Sequence, residues 1–352
     1  MGPSVFIDDA SSLISYSGTQ WTLQTGDNTT ANGTYTTCRT DLTNSASGIP
    51  SLTYTFVAIN VYGNPSENLL MNYTVDDSGV RPALINPSNG QSAKTEFRWW
   101  GLEGFGAGSH TIKLMPSRGQ PIIDYFIVTP TEDTFLSGKT LIYDDVDPAL
   151  KYSGNWAVRV SMNFTDGIPY FSSLYSTRNK GDAFTLRFVG STVSVYGLLN
   201  QQAGSLVSSY SVDGAPPTKF NPYNGSQLPL PDKWQLNQKF FHQDLIPGIH
   251  NLTVTLDDVT GPQQLWIDYI TFDGSSDTTL AEPSTLPGTT SSPSSKKTGL
   301  SDRALGGIIA GAIIAFCIVS GVFRKTVRQK QPGWNTVVTE TQTQTVQHYI
   351  GR

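Results

Sequence analysis

Charge is scarce in this chain. Only 14% of its 352 residues are Asp, Glu, Lys or Arg, where soluble globular chains carry ~25%. The net charge is −5. Binding DNA or RNA needs a cationic surface, so nucleic acid is excluded as a partner. Cysteine is nearly absent: Cys38 and Cys317 are the only two. That excludes a disulfide-dense scaffold and any Cys-based zinc motif. There are four His, and only His242 and His250 stand near one another, which argues against a His-rich metal site. No G-x-S-x-G elbow and no D-x-D-x-D loop occurs. No stretch before residue 300 shows a helical stripe. What the chain does have is 11% aromatic residues, 33 Gly and 21 Pro. Disordered chains lack aromatics, so most of this one folds, with many turns and short strands.

One long apolar run is present. Residues 304–323 read ALGGIIAGAIIAFCIVSGVF, without a charge. At ~1.5 Å per residue the run spans a bilayer core of ~30 Å. A buried soluble helix is the alternative, but such helices seldom run this long uncharged. Arg324, Lys325, Arg328 and Lys330 follow the run, although Lys296, Lys297 and Arg303 precede it. Asn28, Asn32, Asn72, Asn163, Asn224 and Asn251 each begin an N-x-[ST] sequon, all on the N-terminal side. The expectation is a single-pass plasma-membrane glycoprotein with an extracellular N-terminal part and a cytoplasmic tail, 325–352. The first nine residues have no basic start, apolar core or cleavage site, so a signal peptide is expected to be missing upstream. Gly307, Gly311 and Ala315 place small residues on one face of the membrane helix, which points to a homodimer through that helix. Residues 275–302 hold three Pro, many Ser and Thr and no aromatic residue. They read as a disordered, O-glycosylated stalk or a plain flexible linker.

The rest of the chain repeats itself. Val5-Phe-Ile-Asp-Asp, Tyr16-Ser-Gly and Trp21 match Leu141-Ile-Tyr-Asp-Asp, Tyr152-Ser-Gly and Trp156. Val61-Tyr-Gly, Tyr73-Thr-Val-Asp, Gly108-Ser-His and Ile123-Asp-Tyr match Val195-Tyr-Gly, Tyr210-Ser-Val-Asp, Gly248-Ile-His and Ile267-Asp-Tyr. The order is kept at an offset of 134 to 144 residues, which marks a duplication. Leu52, Tyr54 and Phe56, then Phe184, Leu186 and Phe188, then Leu252, Val254 and Leu256 alternate with polar residues. Period-two alternation means half-buried strands, and two packed antiparallel sheets are the simplest solution. The fold class is therefore all-β.

This series of motifs resembles the galactose-binding-domain-like jelly rolls found in tandem on fungal surface proteins, ahead of a Ser/Thr-rich stalk, one membrane helix and a short tail. The resemblance covers nearly the whole chain. It implies two tandem jelly-roll β-sandwich domains, 4–130 and 139–274, a stalk over 275–302 and a transmembrane helix over 303–324. It also implies glycan or cell-wall binding, although a fold alone does not supply a function. The first repeat departs from the pattern at Asp76-Asp-Ser-Gly.

Candidate chemistry is sparse. Asp8, Asp9, Asp144 and Asp145 form acidic pairs kept in both repeats. They either cap turns or hold a structural calcium, which such jelly rolls often carry; no other cofactor is indicated. His110 and His250 recur where a Gly turn starts a strand, and Asp124 and Asp268 recur in the last strand; repetition favours fold roles for all four. Exposed aromatic rings are the better sugar signal, because pyranose C–H faces stack on them. Trp99 and Trp100 are adjacent, so an ordinary strand points them to opposite faces and leaves one free. Trp234 lies in a Pro- and Asn-rich loop and has no repeat partner. Trp99, Trp100 and Trp234 are therefore the ligand-binding candidates, while Trp21, Trp156 and Trp266 read as core. Cys38 either pairs outside its domain or stays a buried thiol. The expectation is a non-enzyme that binds carbohydrate for adhesion or sensing. The alternatives are a protein–protein adhesion module without a sugar site and a glycosidase.

Overall fold

The computed structural model describes residues 2–280 apart from 18–19, 27–29, 39–50, 67, 86–96, 162–163, 165–166, 201 and 224–233. Asn28, Asn163, Asn224, Gly307, Gly311, Ala315, Cys317, most of the stalk, the apolar run and the tail lie outside the described residues. Apart from two 3-10 turns, every described regular element is a strand. The first repeat holds β1 (Ser4–Asp8), β2 (Ile14–Ser15), β3 (Trp21–Thr25), β4 (Thr34–Cys38), β5 (Ser51–Thr55) and β6 (Ala58–Gly63). It continues with β7 (Leu69–Val75), β8 (Arg81–Ile85), β9 (Phe97–Glu103), β10 (Ser109–Arg118), β11 (Ile122–Ile123) and β12 (Tyr125–Thr129). The second holds β13 (Thr140–Asp144), β14 (Leu150–Ser153), β15 (Ala157–Val160), β16 (Ser173–Thr177) and β17 (Ala183–Asn200). It ends with β18 (Leu206–Val212), β19 (Thr218–Phe220), β20 (Trp234–Val259) and β21 (Leu265–Asp273).

Strand pairing repeats as the sequence does. In the first repeat β2, β5, β10, β7 and β8 form one sheet, β1, β12, β6 and β9 lie in a second, and β11, β4 and β3 form a small third. In the second repeat, β17 does the work of β5 and β6, and β20 that of β9 and β10. These two long strands run through both layers, and β17 shifts register at Gly190. Strands that switch layers at a bulge join sandwich-like sheets at a corner. β1 pairs with β13, so one sheet runs through both repeats. Val5 faces Leu141 across that junction. These are equivalent residues, so the junction has local two-fold symmetry.

The motifs have physical reasons. In Val-Tyr-Gly the Val faces the inner core and the Tyr the outer side of the sheet. At Gly63 and Gly197 a Cβ would run into the carbonyl oxygens of Ile122 and Trp266. The Tyr of each Tyr-Ser-Gly ties down the acidic pair: Tyr16 Oη donates to the Asp9 carbonyl at 2.9 Å, and Tyr152 Oη to the Asp145 carbonyl at 2.8 Å.

Two expectations change here. Folded structure continues past 274: Ser275 is buried, Thr278 Oγ1 donates to the Val189 carbonyl at 2.6 Å, and Leu280 packs on the core. Trp99 and Trp100 are both buried, each 2% exposed. The reason is a β-bulge. Val61 pairs with Trp100 and Tyr62 with Arg98, so Trp99 is the extra residue. A bulge sets two residues against one and breaks the alternation of faces. Both rings join the inner core, and Trp99 Nε1 donates to the Ile122 carbonyl at 3.2 Å. The second repeat keeps the device: Val195 pairs with Phe241, Tyr196 with Lys239, and Phe240 and Phe241 are both buried.

A cleft on the outer face of the shared sheet

Five neighbouring strands run in the order β20-β17-β21-β13-β1. Their outward-facing residues, spaced by two on β17 and β21, line one cleft of about 280 Å³. From β17 come Thr192, Ser194 and Tyr196, and from β21 come Tyr269, Thr271 and Asp273. β20 adds Lys239 and His242, and the start of β13 adds Lys139 and Thr140. The first repeat closes the far side with Phe6, Asp8, Ser11 and the turn holding Ala31 and Asn32.

Tyrosines underlie this floor. Tyr196 and Tyr269 stack at 4.6 Å, as do Tyr62 and Tyr125 at 4.7 Å. Tyr170 meets Tyr62 at 5.9 Å and Tyr269 at 5.7 Å. All five rings are buried, so they fix the sheet rather than offer a stacking face. Lys239 Nζ stands 5.5 Å above the Tyr196 ring, close enough for a cation–π contact.

Asp124 and Asp268 position the two 3-10 turns. The Asp124 carboxylate accepts the Ala31 N–H at 3.1 Å, and Asp268 Oδ1 accepts the Tyr170 N–H at 3.0 Å. Each turn contains a residue at positive φ, Asn32 at 51° and Phe171 at 48°. That backbone is costly for Phe and easier for Asn. Asn32 Nδ2 donates to Asp8 Oδ2 at 2.6 Å and so forms the cleft wall. Of the described sequons, Asn32 is exposed in the first 3-10 turn, Asn251 is exposed on β20 and Asn72 is half-buried on β7.

The acidic pairs act on nearby turns and hydroxyls. Asp8 Oδ1 accepts the Ala10 N–H at 3.0 Å, as an Asx turn does. Asp9 is buried, and both its oxygens are taken, by Thr34 Oγ1 at 2.7 Å and Thr36 Oγ1 at 2.6 Å. Burial still pushes the Asp9 carboxyl up to about 6. Asp145 accepts Ser173 Oγ at 2.6 Å through Oδ1. Its buried Oδ2 has no hydrogen-bond partner among the described residues, and the Asp144 side chain lies beside it. Burial raises Asp145 to about 7, and burial with the Asp145 charge raises Asp144 well above the usual carboxylate range. Among the described residues, no group of three or more His, Cys, Asp or Glu is arranged to hold a metal ion. Asp9 has no oxygen to spare for calcium.

The repeated His residues clamp hairpins. His110 Nδ1 lies 2.6 Å from Asp76 Oδ2 and Nε2 lies 2.9 Å from the Gly106 carbonyl. His250 does the same with Asp213 at 2.7 Å and the Ile246 carbonyl at 2.8 Å. The hydrogen bonds to Asp76 and Gly106 raise His110 above its ordinary value, and the His110 bond lowers Asp76. A raised His stabilises the fold fully below its unfolded value, ~6.5, and loses that contribution as pH rises through the folded value. The midpoint of thermal unfolding should therefore fall above pH ~6.5, and His110→Gln should remove part of that fall. A melting series from pH 5 to 9 measures it; identical slopes for both proteins would contradict the clamp.

Trp234 is half-buried between Phe164, at 4.5 Å, and Trp266, at 5.4 Å, and lies outside the cleft. The ligand-binding assignments of Trp99, Trp100 and Trp234 are thus replaced by core roles for the first two and a packing role for the third. Cys38 is fully buried on β4, and burial pushes its thiol up to about 11, so it is not placed to cross-link chains. Sequence reasoning missed Ser194, Lys239 and His242. One signal was available: where the second repeat has Ser194, His242 and Thr271, the first has Asn60, Gly101 and Ile127.

Ser194 Oγ lies 2.8 Å from His242 Nδ1, and His242 Nε2 lies 3.4 Å from Asp244 Oδ1. This is a hydroxyl–imidazole–carboxylate series. Its acid is 88% exposed, so the carboxylate is largely screened by water. Ser194 sits inside β17, paired with His242 on one side and Thr271 on the other. Its backbone is engaged in the sheet rather than turned toward an oxyanion.

No family model and no curated protein matches the chain. Solved structures do. A Paenibacillus xanthan lyase matches over 76% of this chain and 26% of its own, at 14% identity and a TM-score of 0.28. A two-domain esterase active on acetylated mannans matches over 43% and 40%, at 16% identity and a TM-score of 0.31. The N-terminal tandem CBM22 domain of Paenibacillus barcinonensis Xyn10C matches over 77% and 98%, at 15% identity and a TM-score of 0.25. The chain spans about a quarter of the lyase and two fifths of the esterase. At these scores none of them assigns an activity to the chain.

Proposed function

We propose that this chain binds carbohydrate, without catalysis of its own, in the cleft between its two repeats. The observation that carries this reading is the lining of the cleft. Ser11, Thr140, Thr192, Ser194 and Thr271 bring hydroxyls to one concave surface. Hydroxyls both donate and accept, which is what a polyol needs from its partner. A volume of about 280 Å³ lies just below the usual range for ligand sites, roughly 300–1,000 Å³, and suits a short saccharide. The finer jelly-roll assignment, the galactose-binding-like resemblance and the cell-surface setting belong to the same reading. The apolar run 304–323 would anchor the chain once in the plasma membrane, tail inside, with adhesion or sensing as its role. Gly307, Gly311 and Ala315 would pair two such helices. Calcium, if bound, would sit at Asp144 and Asp145 and neutralise that buried pair.

The test is a glycan array probed with the full chain. His242→Gly and Thr271→Ile install the residues of the first repeat, which the same backbone already accepts. Saturable binding that falls at least ~10-fold in the double variant is the expected result. Absence of binding to any saccharide would sink the reading and favour a protein–protein module. A second reading rests on Ser194, His242 and Asp244. Hydrolysis of a p-nitrophenyl ester that disappears in Ser194→Ala would make the chain an esterase.

A further inference from the structure

The two repeats act as an internal control. Residues that hold the fold recur in both, the outward tyrosines Tyr62/Tyr196 and Tyr125/Tyr269 included, while other outward positions of the shared sheet diverge. Arg98 in the first repeat lies 3.8 Å from Glu103. Its counterpart Lys239 lines the cleft and makes no ion pair with any described residue. His242, two pleats along the same strand and on the same face, stands where the first repeat has Gly101. Lys139 brings a second ammonium to the cleft from the start of β13.

Resting on the carbohydrate reading above, we infer that the cleft takes an acidic saccharide, with its anionic group set against Lys239 and His242. Two carboxylates also line the cleft; both oxygens of Asp8 and one oxygen of Asp273 accept hydrogen bonds within the chain. Asp8 accepts from the Ala10 N–H and from Asn32 Nδ2, and Asp273 Oδ1 accepts from Thr140 Oγ1 at 2.7 Å. Asp244 lies 3.4 Å from His242 but is 88% exposed, so water screens it. The Lys239 ammonium has three protons and only a ring face beneath it. The hydroxyls of Thr192, Ser194 and Thr271 then meet the ring hydroxyls of the same saccharide. A neutral sugar would leave Lys239 unused, and a simple anion would leave the hydroxyls unused.

The experiment is calorimetric titration of the full chain with four polymers: polygalacturonate, its fully methyl-esterified form, dextran sulfate and polyglutamate. The expected result is binding to polygalacturonate or dextran sulfate, which distinguishes a carboxylate from a sulfate. Affinity should weaken at 0.5 M NaCl and fall about tenfold in Lys239→Gln. Lys239→Arg should retain most of it, with both variants melting as the parent does. Equal binding to the methyl ester and the acid would overturn the anionic site and leave the carbohydrate reading intact. Equal binding to polyglutamate would do the reverse. Binding to none of the four overturns this inference, while the array above still decides whether a neutral glycan binds. Unchanged affinity in Lys239→Gln removes Lys239 from the site.

Discussion

Replacing Trp100 by alanine should cost about 3–5 kcal/mol of folding stability, the range for deleting a large buried aromatic side chain. The ring is 2% exposed in the inner core and meets Tyr73 edge-on at 5.2 Å and 65°. Such pairs add ~0.5–1.5 kcal/mol beyond their buried area. The bulge makes relaxation difficult, because Trp99 and Trp100 fill the same side of the sheet. Their neighbours cannot collapse into the gap without moving β9 against β6. Chemical denaturation of the full chain, read by fluorescence, should show a lower midpoint. Lys239→Gln, on the exposed cleft wall, should leave the midpoint within ~0.5 kcal/mol of the parent. A Trp100→Ala protein with parental stability and lost saccharide binding would return Trp100 to the ligand site.

That contrast shows what the sequence makes legible. Alternation and repeated motifs are local or nearly so, and they announced the strands and the duplication. Asp8-Asp9 and Asp144-Asp145 stand out because each pair occupies neighbouring positions. The bulge at Trp99 is different. An extra residue in one strand is defined against its partner strand, and Val61 lies far from Trp100 in sequence. Only the recurrence of two aromatics at Phe240-Phe241 hinted that both rings were core. The cleft is harder still. Its residues run from Phe6 to Asp273 and meet because five strands lie side by side. No spacing rule links Lys139, Lys239 and His242. Their common face follows from register, which side-chain pattern sets only after the pairing is known. The duplication supplies the missing handle, since a position that differs between two copies of one fold is released from the demands of the fold.

The second large effect is a gain. Asp145→Asn should stabilise the protein at pH 8 by on the order of 1–3 kcal/mol. Asp145 is fully buried beside the Asp144 side chain, and its Oδ2 has no hydrogen-bond partner among the described residues. Burial raises the folded pKa to about 7 from an ordinary 3.8. The folded state therefore binds more protons than the unfolded one between those values. Stability from this group is complete below pH ~4 and declines as pH rises to about 7. Asparagine keeps an oxygen for Ser173 Oγ and offers an N–H to Asp144, so it removes the repulsion without leaving a buried group unmet. Thermal melts at pH 4 to 8 should show a shallower decline in the variant. The window differs from that of His110, whose contribution is lost above ~6.5, so the two slopes separate. Calcium gives the same pair a second way to be neutralised. If it binds there, millimolar calcium should raise the melting point of the parent at pH 8 and leave Asp145→Asn unmoved. An equal rise in both proteins would place the cation elsewhere. A variant less stable than the parent at pH 8 would mean that the carboxylate, not its proton, holds this corner of the second repeat.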